Sequence, residues 1–564
     1  MMTVKQAEQP TKDGVAARAR RPSALKWISS PHVCCMLLLG VIVFFALVRF
    51  RLRAIPLERD EGEFAYGGQL IVQGSPLYKG VYTLKLPGTY AAYAVIFRVV
   101  GQSAANIHIG LIFVNAATTL LLFFICMRVF GGLAGLVAGA SYALLSTSAS
   151  VIGFAAHATH FVVLFATAGV WLLLESLDKD SSWILLCAGI LFGFAFLMKQ
   201  PGVFFFIWAA FYLLWLGRKR KTTLRKLAAQ LLALSIGFAF PFAITCFLTW
   251  RSGSLHDLWF WTVLYANQYG ANADLKYGLE ELLRTGADVV TQAVGIWLLA
   301  ALGVTALLWD ARVRSHALFM ASFLLFSFAA VCPGFYFRQH YFILMLPAVS
   351  MLAGMGVSSA TEGSRRWTGS NTLAAVPILL FVVAFAAAIC SQRDFLFYLS
   401  PIEASRKVYG LNPFPEAIEI SRYIENTTHE GATVAVLGCE PEIYFYSHRH
   451  AATGHGCAYP LLEPRYGVNL QRQMEHEIEA VRPDILVLVN DPTSWIAFPN
   501  TASPDEILGW TNEYSKQYYV LDGIAEMDPY TTNYYWGERA RRHPLFASRN
   551  ILVLKRKSSS VPES

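Results

Sequence analysis

The sequence predicts a polytopic α-helical membrane protein carrying a C-terminal α/β domain, and three observations carry that prediction. Hydrophobic residues make up 55% of the 564 and charged ones only 15%, against about 25% charge in soluble chains. Apolar runs recur near the length of about 20 residues that a helix needs to cross a hydrocarbon core about 30 Å thick. From residue 395 to 564 the pattern changes to short β-branched runs alternating with amphipathic helices. Nine cysteines spread over the whole length exclude a disulfide-stapled secreted scaffold.

Counted by length, the apolar spans fall at 33–50, 105–127, 132–150, 155–175, 183–198, 202–217, 227–249, 290–309, 316–332, 341–358 and 373–391, eleven in all. Arg51 and Arg53 follow the first span without a small-residue cleavage site, so it reads as an uncleaved anchor. The net charge of +8 is concentrated in residues 1–32 and in Arg218–Lys226, which together exceed it. Clusters of Lys and Arg beside apolar spans mark cytoplasmic loops, so the charge needs no nucleic acid to explain it. Arg312, Arg314, Arg365 and Arg366 fall on the same side by this count. A basic cytoplasmic tail (1–32), a transmembrane domain (33–394) with an external first loop (51–104), and an extracytoplasmic α/β domain (395–564) follow.

In the last domain Thr433–Leu437, Ile485–Val489, Tyr518–Leu521 and Ile551–Leu554 read as strands, with helices at 415–425 and 470–481. Its tyrosines at 514, 518, 519, 530, 534 and 535 and Trp536 read partly as strand core. Cys439 and Cys457 are its only cysteines; outside the cytoplasm they can pair, and spacing alone leaves pairing open. Ser558–Ser564 reads as a frayed end.

The external loops carry the chemistry. The first contains RDEGEFAYGGQLIVQGSPLYKGVYTLKLPGTYAAY (59–93). Asp60, Glu61 and Glu63 beside a span are expensive to hold near lipid unless they pair, bind a cation or work. A carboxylate there can act as general base, or simply favour the N-terminus of a helix over 62–73. Arg59 can neutralise the cluster as an ion pair. Further on come FLMKQPG with Lys199, the loop GFAAHATHF with His157, Thr159 and His160, and FYFRQHYFILMLPAVSMLAG with Arg338, His340 and Tyr341. Imidazoles titrate near neutral pH, so His157 or His160 is a candidate acid, base or metal ligand; at spacing i, i+3 on an apolar helix they are equally plain structural residues. Lys199 at a span end can snorkel to the interface. Trp259, Trp261, Tyr265 and Tyr269 could stack on sugar faces or line the groove of a lipid carrier, and read first as an interfacial aromatic belt. GCEPEIYFYSHRH (438–450) follows a strand, where loops of open sheets bind ligands. No Gly-rich phosphate fingerprint is present.

The order of these segments resembles the GT-C-fold glycosyltransferases of the glycosyltransferase family 39 type, over roughly residues 33–391. That group includes protein O-mannosyltransferases and the transferases that add aminoarabinose or galacturonic acid to lipid A or lipopolysaccharide core. The resemblance implies an integral membrane glycosyltransferase of a bacterial inner membrane, with its N-terminus cytoplasmic and its C-terminal domain periplasmic. It would move a sugar from a polyprenyl-phosphate carrier to a cell-envelope lipid, glycan or protein acceptor by single displacement. Asp60 matches the family's catalytic aspartate with Glu61 as its partner; Lys85 matches the lysine on the donor phosphate; Arg338, His340 and Tyr341 match the phosphate-contacting region, to which Lys199 adds a cation. Where many relatives carry an acidic residue in the second external loop, this chain has Thr159 near the expected place, with His157 and His160 around it. Where some relatives use a Glu before the Lys-Pro segment as metal ligand this chain has Leu84, so no metal ligand is assigned and a divalent cation stays a possible cofactor. The rival readings are a lipid-linked sugar flippase or transporter, which calls for two similar halves with broken helices, and an inactive sugar-binding scaffold.

Overall fold

Ser30 opens the first helix, α1 (Pro31–Arg51), its hydroxyl accepting the Val33 amide while Pro31 takes the position that lacks an N–H partner. The structure, a computed structural model, describes residues 30–495, 503–528 and 531–557. The basic tail before residue 30, Tyr530 and Ser558–Ser564 lie outside these residues. The apolar spans become α1, α4 (Ala104–Phe130), α5 (Gly132–Leu145), α6 (Ala158–Lys179), α7 (Ser182–Met198), α8 (Val203–Lys219), α9 (Leu224–Arg251), α11 (Val294–Trp309), α12 (Ala317–Val331), α13 (Leu346–Thr368) and α14 (Asn371–Ser391). In the first external loop stand α2 (Arg59–Val72) and α3 (Gly88–Val99), and α10 (Leu275–Thr291) precedes α11.

Among the described residues, seven of the helices are long and apolar enough to span a membrane; α5, α7 and α12 are shorter, and α10 with α11 forms a pair bent by 103°. The segment holding α13 is 89% buried over its most apolar stretch, whereas α9 and α14 are 22% buried. So α13 is the axis of the bundle, and α9 and α14 offer their apolar sides to lipid. Arg49, in the last turn of α1, is buried and donates to Ser146 O (2.6 Å) and Gly153 O (2.7 Å). A buried guanidinium is tolerable only when its donors are satisfied, and here they pin the loop between α5 and α6 that carries His157.

The C-terminal domain is a mixed six-stranded sheet: β1 (Thr433–Leu437), β2 (His450–Ala451), β3 (Ile485–Asn490), β4 (Tyr519–Met527), β5 (Thr532–Trp536) and β6 (Asn550–Arg556), in the order β2-β1-β3-β6-β4-β5. β1 runs parallel to β2 and β3, while β6 lies antiparallel between β3 and β4. Helices α15 (Phe414–Thr427), α16 (Glu442–Ser447), α17 (Gly467–Val481) and α18 (Asp505–Tyr518) pack on it. The domain sits on the first loop through α16. A Cβ at Gly62 would meet Glu442 N at 2.6 Å, so only glycine permits this approach of α2 to α16.

Candidate functional site

Glu58 starts α2 with a capping box: its carboxylate accepts the Glu61 amide at 2.9 Å, and the Glu61 carboxylate lies 3.5 Å from the Glu58 amide. This end of the helix therefore faces Asp60 and Glu63 one way and Glu61 the other. Lys85, on the loop before α3, donates to Asp60 Oδ1 at 2.8 Å and to Glu63 Oε2 at 2.9 Å. The Tyr90 hydroxyl holds the second Glu63 oxygen. Burial alone would raise the Asp60 carboxyl, but the Lys85 ammonium outweighs it and holds the group far below the carboxylate range. Burial works against the Lys85 ammonium in turn, and its two carboxylate partners raise it above the ordinary lysine value.

A cavity of about 340 Å³ opens over this pair, between the helical bundle and the C-terminal domain. The first loop supplies Asp60, Glu63 and Lys85 as one part of its wall and the bundle supplies His157, Lys199, Arg338, His340 and Tyr341 as the other, the two meeting where His157 Nδ1 lies 3.9 Å from Asp60. Lys199 stands between α7 and α8 with its Nζ 3.7 Å from the centre of the Tyr341 ring, and burial pushes its ammonium down to about 7. Three cations thus face one space with one carboxylate pair, an arrangement that accepts an anion.

Seven of the nine sequence-derived site residues meet in this cavity, and two do not. Glu61 turns away, 1% exposed, and ties together three segments: it accepts the Ala156 amide at 2.6 Å and contacts His108, whose other ring nitrogen reaches Arg53 O at 2.7 Å. His160 is fully buried in the first turn of α6 and does not line the cavity. The ring nitrogens of His157 have no hydrogen-bond partner among the described residues. Arg59 does not neutralise Asp60: its Nε donates to Cys439 O at 2.8 Å, Nη2 to Asn412 Oδ1 at 3.1 Å, and Nη2 lies 3.5 Å from buried Glu440.

Tyr265 and Tyr269 line the cavity, and Trp261 and Tyr265 are buried, against the expectation of an interfacial belt. The C-terminal domain supplies Gly456, Cys457 and Tyr459, and Cys457 is disulfide-bonded to Cys439. The helical spacing of the aromatics was a usable signal; the loop around Cys457 carries none.

Asp60, His157 and His340 each present one donor atom within 4.8 Å of the others. They do not converge on a single ion as placed. The two imidazoles stack face to face, 4.0 Å apart and 10° from parallel, so their in-plane lone pairs run side by side, while Asp60 gives Oδ1 to Lys85 and keeps Oδ2 3.9 Å from His157 Nδ1. A tetrahedral site needs donors aimed at one point about 2 Å from each.

Residues 85–250 match the protein family described as dolichyl-phosphate-mannose-protein mannosyltransferase. No curated protein matches the sequence as a whole or in part at a significant level. Among solved structures, ArnT from Cupriavidus metallidurans bound to undecaprenyl phosphate aligns over 95% of this chain and 99% of its own, at 14% identity and a TM-score of 0.57. The same protein in the apo state aligns over 94% and 98%, at 14% identity and 0.55. The archaeal oligosaccharyltransferase AglB from Archaeoglobus fulgidus, in complex with an inhibitory peptide and a dolichol-phosphate, aligns over 90% and 75%, at 12% identity and 0.49. The chain carries the fold of GT-C glycosyltransferases, and the expected fold class holds over nearly its whole length.

Proposed function

We propose that this chain is an integral-membrane glycosyltransferase that moves a sugar from a polyprenyl-phosphate carrier to a cell-envelope acceptor on the extracytoplasmic face of a bacterial inner membrane. The observation that supports it most is the pairing of Asp60 with Lys85 at 2.8 Å in a cavity that also gathers Lys199 and Arg338. The likeness in fold to ArnT, solved with undecaprenyl phosphate, points to the same class of donor.

In this reading the carrier phosphate settles among Lys85, Lys199 and Arg338. It competes with Asp60 for the Lys85 ammonium, and a carboxylate released from that partner regains basicity. Donor binding thereby prepares the base, which is otherwise too weakly basic beside Lys85 to take a proton. The acceptor hydroxyl or amine then forms a bond to the anomeric carbon as the bond to the phosphate oxygen breaks; its proton goes to Asp60 and the electron pair leaves with the phosphate. One displacement inverts the anomeric centre. Lysine and arginine cations beside the departing phosphate stabilise the developing charge. Glu61 acts as a positioning residue, since it holds the His157 loop to α2 and does not reach the cavity. No step passes through a metal ion.

The test is consumption of labelled polyprenyl-phosphate sugars by the detergent-purified chain, compared with Asp60→Asn and Lys85→Ala. Turnover by wild type and its loss in both variants is expected; undiminished turnover in Asp60→Asn would remove the base from Asp60, and carrier translocation without product would replace the transferase by a flippase.

A further inference from the structure

Among the contacts between the C-terminal domain and the first loop, two grip the residues flanking the Asp60–Lys85 pair, and a single disulfide joins these two. At the first point Arg59, the residue before Asp60, donates to the Cys439 carbonyl at 2.8 Å and lies 3.5 Å from Glu440. At the second, the Tyr82 amide donates to Gly454 O at 2.8 Å and the Tyr82 hydroxyl donates to Glu477 Oε1 at 2.8 Å. Glu477 also accepts from Thr453 Oγ1 at 2.5 Å and the Gly454 amide at 3.2 Å, so one carboxylate organises the whole grip. The Tyr82 ring is stacked on Trp261 at 5.4 Å and meets the edge of His455 at 4.8 Å. A Cβ on Gly454 would come within 2.6 Å of that ring, so the grip tolerates no side chain there. Lys85 lies three residues beyond Tyr82, with its amide tied to Thr83 Oγ1 at 3.2 Å.

These contacts close a ring. From Asp60 it runs through Arg59 to Cys439, across the disulfide to Cys457, along the loop to Gly454, over to Tyr82, down to Lys85, and back to Asp60 through the 2.8 Å ion pair. Besides the disulfide, the end of the loop at 453–457 is tied to the turn at 439–440 by the Ala458 amide on Gly438 O, while its start is tied to β1 by the Ala452 amide on Val434 O. We infer that the Cys439–Cys457 disulfide is a positioning element of the catalytic site, which fixes the distance between Asp60 and Lys85 by tying the grip on Arg59 to the grip on Tyr82. The consequence for catalysis rests on the transferase reading above; the consequence for the mobility of the Lys85 segment does not.

Hydrogen exchange and kinetics on the full-length chain test it together. In Cys439→Ser/Cys457→Ser, amide exchange across residues 82–86 rises about tenfold while α3 is unchanged, as expected when one local unit opens without the rest. Glu477→Ala, made on the disulfide-intact chain, gives the same rise, and Glu477→Gln, which keeps an acceptor oxygen, largely restores protection. The triple variant adds little to either, because a ring already cut loses little on a second cut. kcat for sugar transfer falls about tenfold in the disulfide variant, with the KM for donor changed less. Unaltered exchange at 82–86 in folded variants, or losses that multiply in the triple variant, overturns the inference; so does the exchange response with an unchanged kcat. If the cysteine variant does not fold, Glu477→Ala and its Gln rescue carry the same readouts. Wild type that turns over no donor, with the exchange response intact, removes the transferase reading and leaves the mechanical coupling standing.

Discussion

The two walls of the cavity are finished differently. On the first-loop wall each charge has a partner at hydrogen-bonding distance: Lys85 with Asp60 and Glu63, Glu63 with Tyr90, Glu58 with the Glu61 amide. On the wall supplied by the bundle His157 has neither ring nitrogen hydrogen-bonded among the described residues, its Nδ1 standing 3.7 Å from Glu58 and 3.9 Å from Asp60, and Lys199 rests on an aromatic face. Buried polar groups left without partners cost free energy, on the order of 1–3 kcal/mol each. A fold that keeps one wall saturated and the other open concentrates that cost where a ligand can relieve it. The paired wall is preorganised, and the open wall is completed by what binds.

The contrast is broken most directly at Lys85. Lys85→Ala leaves Asp60 and Glu63 facing each other, and transfer is expected to fall about 10³-fold, within the range for loss of a preorganised charge contact, read as kcat/KM with labelled donor. The open wall is sharpened by pH. Lys199 is protonated below about 7, so its contact to phosphate is present at acid pH and is lost as pH rises; kcat/KM should fall about tenfold per unit above that value. Lys199→Arg stays charged throughout and should remove this alkaline limb; a limb that persists in the Arg variant would assign it to another group. Glu61→Gln tests positioning across the walls: it weakens the hold on the Ala156 amide and His108, and an approximately tenfold fall in kcat is expected from misplacement of the loop. Chelation with EDTA should leave the rate unchanged, given three donors that do not converge. Gly62→Ala, the smallest effect on chemistry, should cost about 1–3 kcal/mol in overpacking against α16, read as a lowered melting temperature of the C-terminal domain.

Much of this was legible residue by residue. The eleven apolar runs each became helical, seven of the described helices being long and apolar enough to cross a membrane, and strands β1, β3 and β6 announced themselves through β-branched runs. β2, two residues long, and the bend of 103° between α10 and α11 did not, since neither leaves a compositional mark. At the site, Asp60 and Lys85 stood out as charges beside a span. That Glu61, their immediate neighbour, faces the other way follows from the capping box at Glu58, where rotation of 100° per residue separates adjacent side chains. Arg59 looked like a counter-ion to Asp60 and instead reaches a carbonyl 380 positions away. Pairings of that kind belong to tertiary structure and have no local signature. The aromatic stripe from Trp259 to Tyr269 shows the same limit: its periodicity is plain, but the domain that buries Trp261 and Tyr265 is encoded two hundred residues later.

That distance also sets an order of events in biosynthesis. Asp60 and Lys85 emerge early, whereas Cys439, Gly454 and Glu477 are translated after α14. Domains fold largely in the order they are made, so during elongation the first loop exists without its roof. The cavity closes only when the last sheet has folded and Cys439 has paired with Cys457. Competence is therefore a property of the finished chain, and a nascent or prematurely terminated copy presents the charged pair with nothing to hold it in register.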